Sequence, residues 1–336
     1  MEEKATETRA LGVDVGTSKI VMAHKTNGAI GFSSQLNAFL TVEYSKLTEG
    51  LLRRQKIHRY RDNGSLVIFG DGAETFANML NTATRRPMRD GLLNPAEGSA
   101  IEVIKGILDN LIPEPDVPGA QLCFSVPGMP FKEAESSLLY HESILKRCLA
   151  EKGYKVKSIN EGLAVVFSEL EQENFTGLGI SAGGGMCNVC LAFLSVPVMT
   201  FSVKKAGDYI DEAVASATGE VTTRVRKIKE QEFRLTRKPE NDLEGALSIF
   251  YDDVILTLVE TILESMSSRS SKLPKFDQPV PIVLSGGSAM PEGFRERFQT
   301  CLEDRPLPFE VRDVRLASDP LNATAKGALI ASMHED

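Results

Sequence analysis

The fold is decided by the opening stretch Ala10-Leu11-Gly12-Val13-Asp14-Val15-Gly16-Thr17-Ser18 and by its continuation, Lys19-Ile20-Val21-Met22-Ala23. Apolar residues on both sides of a Gly-Thr-Ser turn predict a β-hairpin that begins near residue 10. The pattern returns where Gly177-Leu178-Gly179-Ile180-Ser181 leads through Ala182-Gly183-Gly184-Gly185 into residues 186–193. The chain therefore repeats its own opening, and we expect each half to start with a hairpin that turns on glycine.

Strands and helices alternate through the rest of both halves. Hydrophobic periodicity predicts helices at residues 71–80, 99–111, 132–151, 208–218, 221–233, 242–268, 292–302 and 320–333. Short apolar runs predict further strands at residues 66–69, 122–126, 155–159, 281–284 and 309–314. Alternation of this kind in two halves indicates an α/β protein with two lobes.

Length and composition fit this interpretation. The chain has 336 residues, of which 42% are hydrophobic and 25% are charged, which is typical of a globular protein with two cores. A formal net charge of −8 gives no general attraction to phosphate backbones or anionic lipids, so nucleic acid is not an expected partner. The five cysteines are an odd number in apolar or helical surroundings, which predicts reduced thiols.

The N-terminus carries no recognisable targeting signal. Residues 1–9 are charged and lack the apolar core of a signal peptide, and no later run reaches about 18 apolar residues. We therefore expect a cytoplasmic protein with no obvious membrane anchor.

The first turn has the parts of a phosphate-binding loop. Gly16 lets the backbone approach an anion, while Thr17 and Ser18 add amides and hydroxyls. Asp14 ends the preceding strand, where a carboxylate is compatible with phosphate if a divalent cation lies between them, usually through water. A plain β-turn is the alternative explanation of this motif taken alone.

Two further glycine clusters support phosphate binding. The second turn contains Gly183, Gly184 and Gly185, and successive glycines between strands usually mark positive φ or the close approach of another group. A flexible hairpin is the alternative. Gly286-Gly287, followed by Ser288, lies between a predicted strand and a predicted helix, where a flat ring or a phosphate can lie against backbone.

Two other groups of residues have simpler explanations. Cys187 and Cys190 form a CxxC, but there is no second pair at zinc spacing, and on a strand the two thiols point to opposite faces. We therefore do not expect a metal or redox role for them. Asp208, Asp211 and Glu212 lie in the first turn of a predicted helix, and we predict that they only complement the helix dipole.

The order of these pieces resembles a known family. From the N-terminus the chain carries Asp14-x-Gly16-Thr17, Asn160-Glu161-Gly162, the glycine hairpin at 183–185, Gly286-Gly287, and Ala325-x-Gly327-Ala328 in the last helix. Over residues 10–333 this arrangement is similar to the actin-like ATPase superfamily, whose five corresponding segments are phosphate 1, connect 1, phosphate 2, adenosine and connect 2. The resemblance implies an α/β, two-lobed, actin-like fold, a duplicated ribonuclease-H-like unit with a nucleotide cleft between the lobes.

Within the superfamily, bacterial actins of the MreB and MamK type look most similar. The resemblance rests on Arg86-Pro87-Met88-Arg89-Asp90-Gly91 and on Ala206-Gly207-Asp208-Tyr209-Ile210-Asp211. It implies a first lobe of residues 1–157 and 315–336, with a small subdomain at about 34–75 that is too short for a chaperone. The second lobe is expected at residues 158–314, with a reduced subdomain at about 221–257.

The resemblance also implies roles for individual residues. Asp14 would hold hydrated Mg²⁺, while Glu161 would orient the water that attacks the terminal phosphate of ATP. The nucleotide, ATP or ADP, is expected to contact the three turns and a basic helix. The expected contacts are Gly16, Thr17, Ser18, Gly183, Gly184 and Gly185 for the phosphates, Gly286, Gly287 and Ser288 for the adenosine, and Arg224 and Lys227 for ribose and base. A solvated helix face is an equally good explanation of Arg224 and Lys227.

The chain departs from the family pattern in the second turn. The family usually has Asp at the position of Ser181 and a Thr-Thr-Glu or Thr-Thr-Asp run where Met186-Cys187-Asn188 stands. Loss of one polar group that acts in the transition state costs about 2–4 kcal/mol. We therefore expect nucleotide binding with slow hydrolysis.

The expected function is a cytoskeletal protein that assembles with itself, head to tail, into filaments when nucleotide closes the lobes. A non-polymerising, ATP-dependent switch or chaperone-like protein of the same fold is the alternative. A small-molecule kinase would need a catalytic Asp and an acceptor pocket that the sequence does not reveal.

Overall fold

The computed structural model describes residues 10–80, 82–131, 136–268 and 273–334. The expectations for residues 1–9 and for the start of the helix predicted at 132 fall outside the described residues. In chain order the strands are β1 (Ala10–Val15), β2 (Lys19–Thr26), β3 (Ala29–Leu36), β4 (Phe39–Glu43), β5 (Arg59–Asp62), β6 (Ser65–Phe69), β7 (Met88–Arg89), β8 (Leu92–Leu93), β9 (Gln121–Val126), β10 (Lys155–Asn160), β11 (Gly177–Ala182), β12 (Cys187–Phe193), β13 (Val196–Val203), β14 (Val280–Ser285) and β15 (Val311–Leu316). The helices are α1 (Lys46–Arg54), α2 (Asp71–Leu80), α3 (Ala100–Leu111), α4 (Ser136–Ala150), α5 (Glu161–Glu169), α6 (Gly207–Thr218), α7 (Thr222–Gln231), α8 (Asp242–Ser267), α9 (Phe294–Glu303) and α10 (Ala323–Met333).

Two five-stranded sheets with the same connectivity form the two lobes. Their strand orders are β10-β9-β1-β2-β3 and β13-β12-β11-β14-β15. In each sheet a three-stranded antiparallel meander carries two further strands that run parallel to its first strand. This repeated topology confirms the expected duplication.

The duplication places two residues of the expected site at equivalent positions. Strands β1 and β11 both have six residues, and their sequences place Asp14 and Ser181 fifth in their respective strands. Both strands end at a turn at the same edge of their sheets, so the two lobes present these side chains in the same way.

Each lobe has its own hydrophobic core. The first core lies under β1, β2 and β9 and is covered by α3 and α4, while the second lies between the second sheet and helices α6, α8 and α9. Strand β11 is buried along its whole length, because α5 lies across the face that the second core leaves open.

Helices α10 and α5 lie between the two sheets. Helix α10 packs against β1 and against α5, and α5 packs in turn against β11 and β12. The helices approach so closely that a Cβ at Gly327 would clash with the carbonyl oxygen of Ala164. A Cβ at Gly12 would clash with the backbone of α10, and one at Gly179 with the carbonyl oxygen of Gly162. Glycine is needed at these positions because backbone touches backbone.

Several elements differ from the sequence predictions. The small sheet β4-β6-β5 packs with α1 and α2, and of these elements only β6 and α2 were predicted. The last strand was predicted two residues too early: β15 begins at Val311, which pairs with Val280, and its register with β14 shifts between Val280 and Ile282. Helix α9 begins at Phe294 because Gly293 before it adopts φ 102°. None of the described helices combines the length and apolar composition that a membrane span requires.

Candidate functional site

The two glycine turns lie against each other. A Cβ built on Gly185 would stand 2.5 Å from Oγ1 of Thr17, so the second turn touches the first. Each turn is closed by its own backbone, since Gly16 N donates to Lys19 O and Gly183 N donates to Met186 O, both at 3.0 Å. The turns of the two lobes therefore form one continuous edge of the cleft.

A third turn completes this edge. Strands β7 and β8 are joined by Asp90 and Gly91, whose φ values of 49° and 70° are typical of a type I′ hairpin. A Cβ on Gly185 would also clash with the backbone nitrogen of Gly91. The sequence analysis used this Asp-Gly pair only for family resemblance, although Asp-Gly between short apolar runs is itself a strong hairpin signal.

Asn37 fixes the first turn and was not predicted. Its backbone nitrogen donates to Ser18 O at 2.9 Å, and its Nδ2 donates to Gly16 O at 2.9 Å. Asn37 lies in the short connection between β3 and β4 and is fully buried. No sequence motif pointed to it, since the contact depends on the pairing of β3 with β2, which places Leu36 opposite Lys19 and so brings residue 37 next to residues 16–18.

Two carboxyl groups, those of Asp14 and Glu161, lie beside the turns. Asp14 Oδ1 accepts a hydrogen bond from Ser125 Oγ at 2.7 Å, and the same hydroxyl accepts from Val15 N at 3.1 Å. Burial raises the pKa of Asp14 to about 6, although the Ser125 hydrogen bond opposes the shift.

Glu161 is the second of these two carboxyl groups. It is the first residue of α5, which Asn160 caps by accepting from Leu163 N at 3.2 Å. Burial, followed by the neighbouring charge of Asp14, raises the pKa of Glu161 to about 8. Two half-buried carboxyl groups that repel each other in this way form a favourable place for a cation.

Glu161 is held by the two residues that depart from the family pattern. Ser181 Oγ donates to Glu161 Oε2 at 3.2 Å, and Asn188 Nδ2 donates to the same oxygen at 2.8 Å. Ser181 and Asn188 are directly paired on β11 and β12. The chain therefore has a hydroxyl and an amide donor where the family usually has acids.

An ion pair connects the lobes at the edge of the turns. Arg86 Nη1, just before β7, donates to both carboxylate oxygens of Asp208 on α6, at 2.9 and 3.0 Å. Asp208 N donates to Gly184 O at 2.8 Å, which anchors α6 on the second turn.

The basic residues of α7 that face the protein differ from those that the sequence suggested. Arg224 is exposed and pairs with Glu220 on its own side of the helix, and Lys227 is also exposed. Arg226 Nε donates to Asp211 at 3.0 Å. Helix α7 therefore has a solvated face, with Arg224 and Lys227, and a paired face, with Arg226.

The paired face of α7 ends at Lys229. Its Nζ lies 2.7 Å from Asp211 Oδ1 and donates to Gly207 O at 2.7 Å. Asp211 is 1% exposed. The prediction that Asp208 and Asp211 only complement the helix dipole was wrong, because both carboxylates form ion pairs with residues outside their own helix.

The third glycine cluster is tied to the second turn. Ser288 Oγ donates to Gly183 O at 2.7 Å, and Gly286 adopts φ 90° with its backbone against Ala182. Exposed Leu321 lies beside Gly287. The structure thus links residues 286–288 to the second turn, which in turn touches the first turn at Thr17.

The arrangement fits a nucleotide and a hydrated cation. Backbone amides and small residues line the contact between the turns, which suits phosphate oxygens. Within the described ranges no group of three or more His, Cys, Asp or Glu side chains could hold a metal ion. A cation held at Asp14 would therefore have to keep most of its water, as Mg²⁺ usually does.

The CxxC lies outside this arrangement. Cys187 packs in the core of the second lobe, whereas Cys190 packs in the cluster beneath α5, so the thiols face opposite sides of β12 as expected. Burial raises the pKa of each thiol to about 12.

Known proteins share this fold over nearly their whole length. The MamK-like protein of Paramagnetospirillum magneticum (strain ATCC 700264 / AMB-1) is 22% identical over 349 residues, covering 95% of this chain and 93% of that protein. A solved MamK double helical filament is 20% identical with a TM-score of 0.71, covering 97% of this chain and 99% of the other. MreB 5 of Spiroplasma citri bound to AMPPNP is 16% identical with a TM-score of 0.65, covering 98% and 97%.

These similarities confirm an actin-like fold of the MreB and MamK type. A family profile described as Volactin matches residues 10–332, which is almost the entire chain. The chain belongs to the volactin family.

Proposed function

We propose that this protein binds ATP or ADP with Mg²⁺ in the cleft and assembles into filaments. The observation that carries nucleotide binding is the contact between the two glycine turns, at Gly185 and Thr17, above the carboxyl groups of Asp14 and Glu161. The similar MreB 5 structure is bound to AMPPNP, which supports the same ligand class here.

The three turns would divide the nucleotide between them. Amides of the turns at 16–18 and 183–185 would hold the β- and γ-phosphates, and Gly286, Gly287 and Ser288 would flank the adenosine. Arg226 and Lys229 lie on the face of α7 nearest the turns, so we propose them as contacts beside the exposed Arg224 and Lys227.

Asp14 would hold the hydrated metal ion, and Glu161 would orient the attacking water. Bound Mg²⁺ supplies positive charge that offsets the phosphate oxygens. Glu161 must be a carboxylate to accept a proton from water, and a bound Mg²⁺ would favour this charged form against the burial that raises its pKa to about 8. Hydrolysis would be slow, because Ser181 and Asn188 provide no carboxylate to help place water or metal.

Filament assembly is proposed from the fold of the relatives. The MamK structure is a double helical filament, and the present chain matches it over almost its whole length. We also propose that the first lobe comprises residues 1–157 and 315–336 and the second lobe residues 158–314, with small subdomains at about 34–75 and 221–257. Cleft closure would then set the shape that head-to-tail contacts require.

Nucleotide binding is tested by thermal unfolding with ATP, ADP, GTP and Mg²⁺, beside a phosphate-release assay. A ligand present at a hundredfold excess over its Kd stabilises the native state by about 2.7 kcal/mol, so the Tm should rise with ATP and Mg²⁺. Asp14→Asn should weaken the effect of Mg²⁺, whereas Asp304→Asn at the exposed end of α9 should not. An unchanged Tm with all three nucleotides would contradict the proposal, and rapid phosphate release would contradict slow hydrolysis.

Assembly is tested by sedimentation at increasing protein concentration. ATP and Mg²⁺ should move the protein into the pellet, and chelation of Mg²⁺ should reduce that fraction. If the protein binds ATP but stays monomeric at high concentration, it is the non-polymerising switch and the filament proposal is wrong.

A further inference from the structure

A row of buried polar side chains crosses the second sheet. Register pairs Ser285 with Ser181, Ser181 with Asn188, and Asn188 with Ser202, so the four lie side by side on adjacent strands. Their exposures are 0%, 5%, 1% and 0%. Buried polar groups need partners, and since directly paired residues share one face, these partners lie above that face of the sheet.

The partners of this polar row are parts of the chain that join the lobes. Ser285 Oγ donates to Pro320 O at 2.9 Å, and Ser202 Oγ donates to Gly128 O at 2.8 Å. Ser181 donates to Glu161, as described above. Asn188 contacts two partners at once, because its Nδ2 donates to Glu161 Oε2 at 2.8 Å while its Oδ1 accepts from Gly128 N at 2.7 Å.

Gly128 begins a segment of the first lobe that extends the second sheet. Ser202 N donates to Met129 O at 2.9 Å, and Phe131 N donates to Ser202 O at 3.0 Å, which makes a short parallel bridge to edge strand β13. Phe131 packs on Phe201 with ring centroids 5.8 Å apart. We call residues 128–131 the bridging strap, because they carry backbone hydrogen bonds from one lobe to the other.

We propose that Asn188 is a positioning residue that couples Glu161 in the cleft to the bridging strap. A carboxamide is suited to this task, since one end donates to a carboxylate and the other accepts from a backbone N–H. A carboxylate at this position could accept from Gly128 but has no amide hydrogen for Glu161. A change in the position of Glu161 therefore moves the amide, and the amide moves the end of the strap.

The coupling explains why this chain has Asn188 at a position that departs from the family pattern. The family usually carries an acid there, whereas this chain carries the neutral amide that both contacts require. The role of Glu161 in hydrolysis rests on the proposed function, but its connection to the strap is a property of the protein without nucleotide.

Hydrogen exchange at the amides of Gly128 and Phe131 tests the coupling in the nucleotide-free protein. Glu161→Leu should speed exchange at both amides by about tenfold, because Asn188 loses the acceptor that fixes it. Glu161→Gln should leave exchange near the wild-type rate, since its side-chain oxygen still accepts from Asn188. Ser181→Ala is the matched control, as it removes the other donor to Glu161 without touching the strap.

A double-mutant cycle separates coupling from simple loss of packing. Asn188→Leu should speed exchange by itself, and adding Glu161→Leu should then change nothing further, because the connection is already broken. Unchanged exchange in Glu161→Leu, or effects that multiply in the double variant, would overturn the proposal. If Glu161→Leu does not fold, equal rates in Asn188→Leu and Ser181→Ala would overturn it instead.

A second measurement keeps this proposal distinct from nucleotide binding. If ATP with Mg²⁺ binds, it should change strap exchange in the wild type and not in Asn188→Leu. If no nucleotide binds, the cycle in the free protein still decides whether Asn188 couples Glu161 to the strap.

Discussion

His141 is a buried side chain that holds the β7–β8 hairpin, whose turn contacts the second glycine turn. It lies on α4 without exposed surface, and its Nδ1 accepts from Leu93 N at 3.2 Å. Leu93 belongs to the β7–β8 hairpin, whose turn at 90–91 touches the second glycine turn. The imidazole must be neutral to accept this hydrogen bond, and burial lowers the pKa of His141 to about 4.

This lowered pKa predicts a loss of stability in acid. A histidine that titrates lower in the native state binds fewer protons than in the unfolded chain, so its contribution to stability falls as the pH drops from 6.5 towards 4. By pH 5 wild type should lose about 2 kcal/mol relative to His141→Gln, whose amide oxygen can still accept from Leu93. Urea unfolding of both proteins from pH 7 to pH 5 measures the difference. The opposite trends of Asp14 and Glu161 cancel in this comparison, and parallel curves would contradict it.

Adjacent glycines of the second turn should respond very differently to alanine. At Gly185 a Cβ would meet Thr17 at 2.5 Å and the backbone of Gly91, whereas at Gly184 it would meet Asp208 at an ordinary 3.6 Å. Gly185→Ala should therefore destabilise the nucleotide-free protein by about 1–3 kcal/mol, and Gly184→Ala should stay close to wild type. Denaturant unfolding measures both. Equal losses would mean that the turns do not pack as described.

At the scale of elements, Arg86 and Asp208 connect the hairpin β7–β8 to α6. The side chains are 19% and 26% exposed, so solvent screens the pair only in part. A double-mutant cycle with Arg86→Met and Asp208→Asn should give a coupling free energy of about 1 kcal/mol that decreases in high salt. Arg234→Met with Glu292→Gln, an ion pair whose side chains are both more than half exposed, is the control and should show less coupling. Additive effects at Arg86 and Asp208 would remove this link between the lobes.

Most elements could be predicted from sequence, and the missed ones share a physical cause. Helix α2 was predicted with the bounds that it has, because its buried Ala73 and Ala77 recur at helical spacing beside other apolar residues. Helix α1 was missed because its only buried residue is Leu52, and β3 because it is half exposed along its length. Helix α1 has only nine residues and a mostly polar composition, and β3 lacks the alternation of buried and exposed residues typical of a half-buried strand, so neither gives a strong sequence signal.

In the site, the features that are local in sequence could be predicted, whereas contacts between distant residues could not. The glycine turns were visible because glycine clusters are local features of the sequence. The Arg86–Asp208 pair joins residues 122 positions apart, and Asn188 meets Gly128 across 60 positions, so only the folded chain reveals them. The inward face of α7 was also hidden, since four basic residues between 224 and 229 look alike until Asp211 selects Arg226 and Lys229.

At the scale of the whole molecule, the stacking of α10 on α5 holds the two sheets at a fixed distance. The glycine contacts along this stack leave no room for a side chain between the layers. Any widening here moves the first sheet relative to the second, and the turns at 16–18 and 183–185 move apart with them. The stack is therefore where substitution should affect both folding and the cleft.

Two substitutions of helical glycines by alanine should change the free energy of unfolding in opposite directions. Gly327→Ala places a Cβ against the carbonyl oxygen of Ala164 and should destabilise the protein by about 3 kcal/mol or more, since backbone on both sides must shift. Gly245→Ala in α8 meets open space and should stabilise it by about 0.5–1 kcal/mol, because alanine loses less backbone entropy in a helix. Urea unfolding measures both, and binding of ATP with Mg²⁺ to whatever Gly327→Ala remains folded should be weaker than to Gly245→Ala. A neutral effect at Gly327 would mean that the lobes are not held together by the α5–α10 contact.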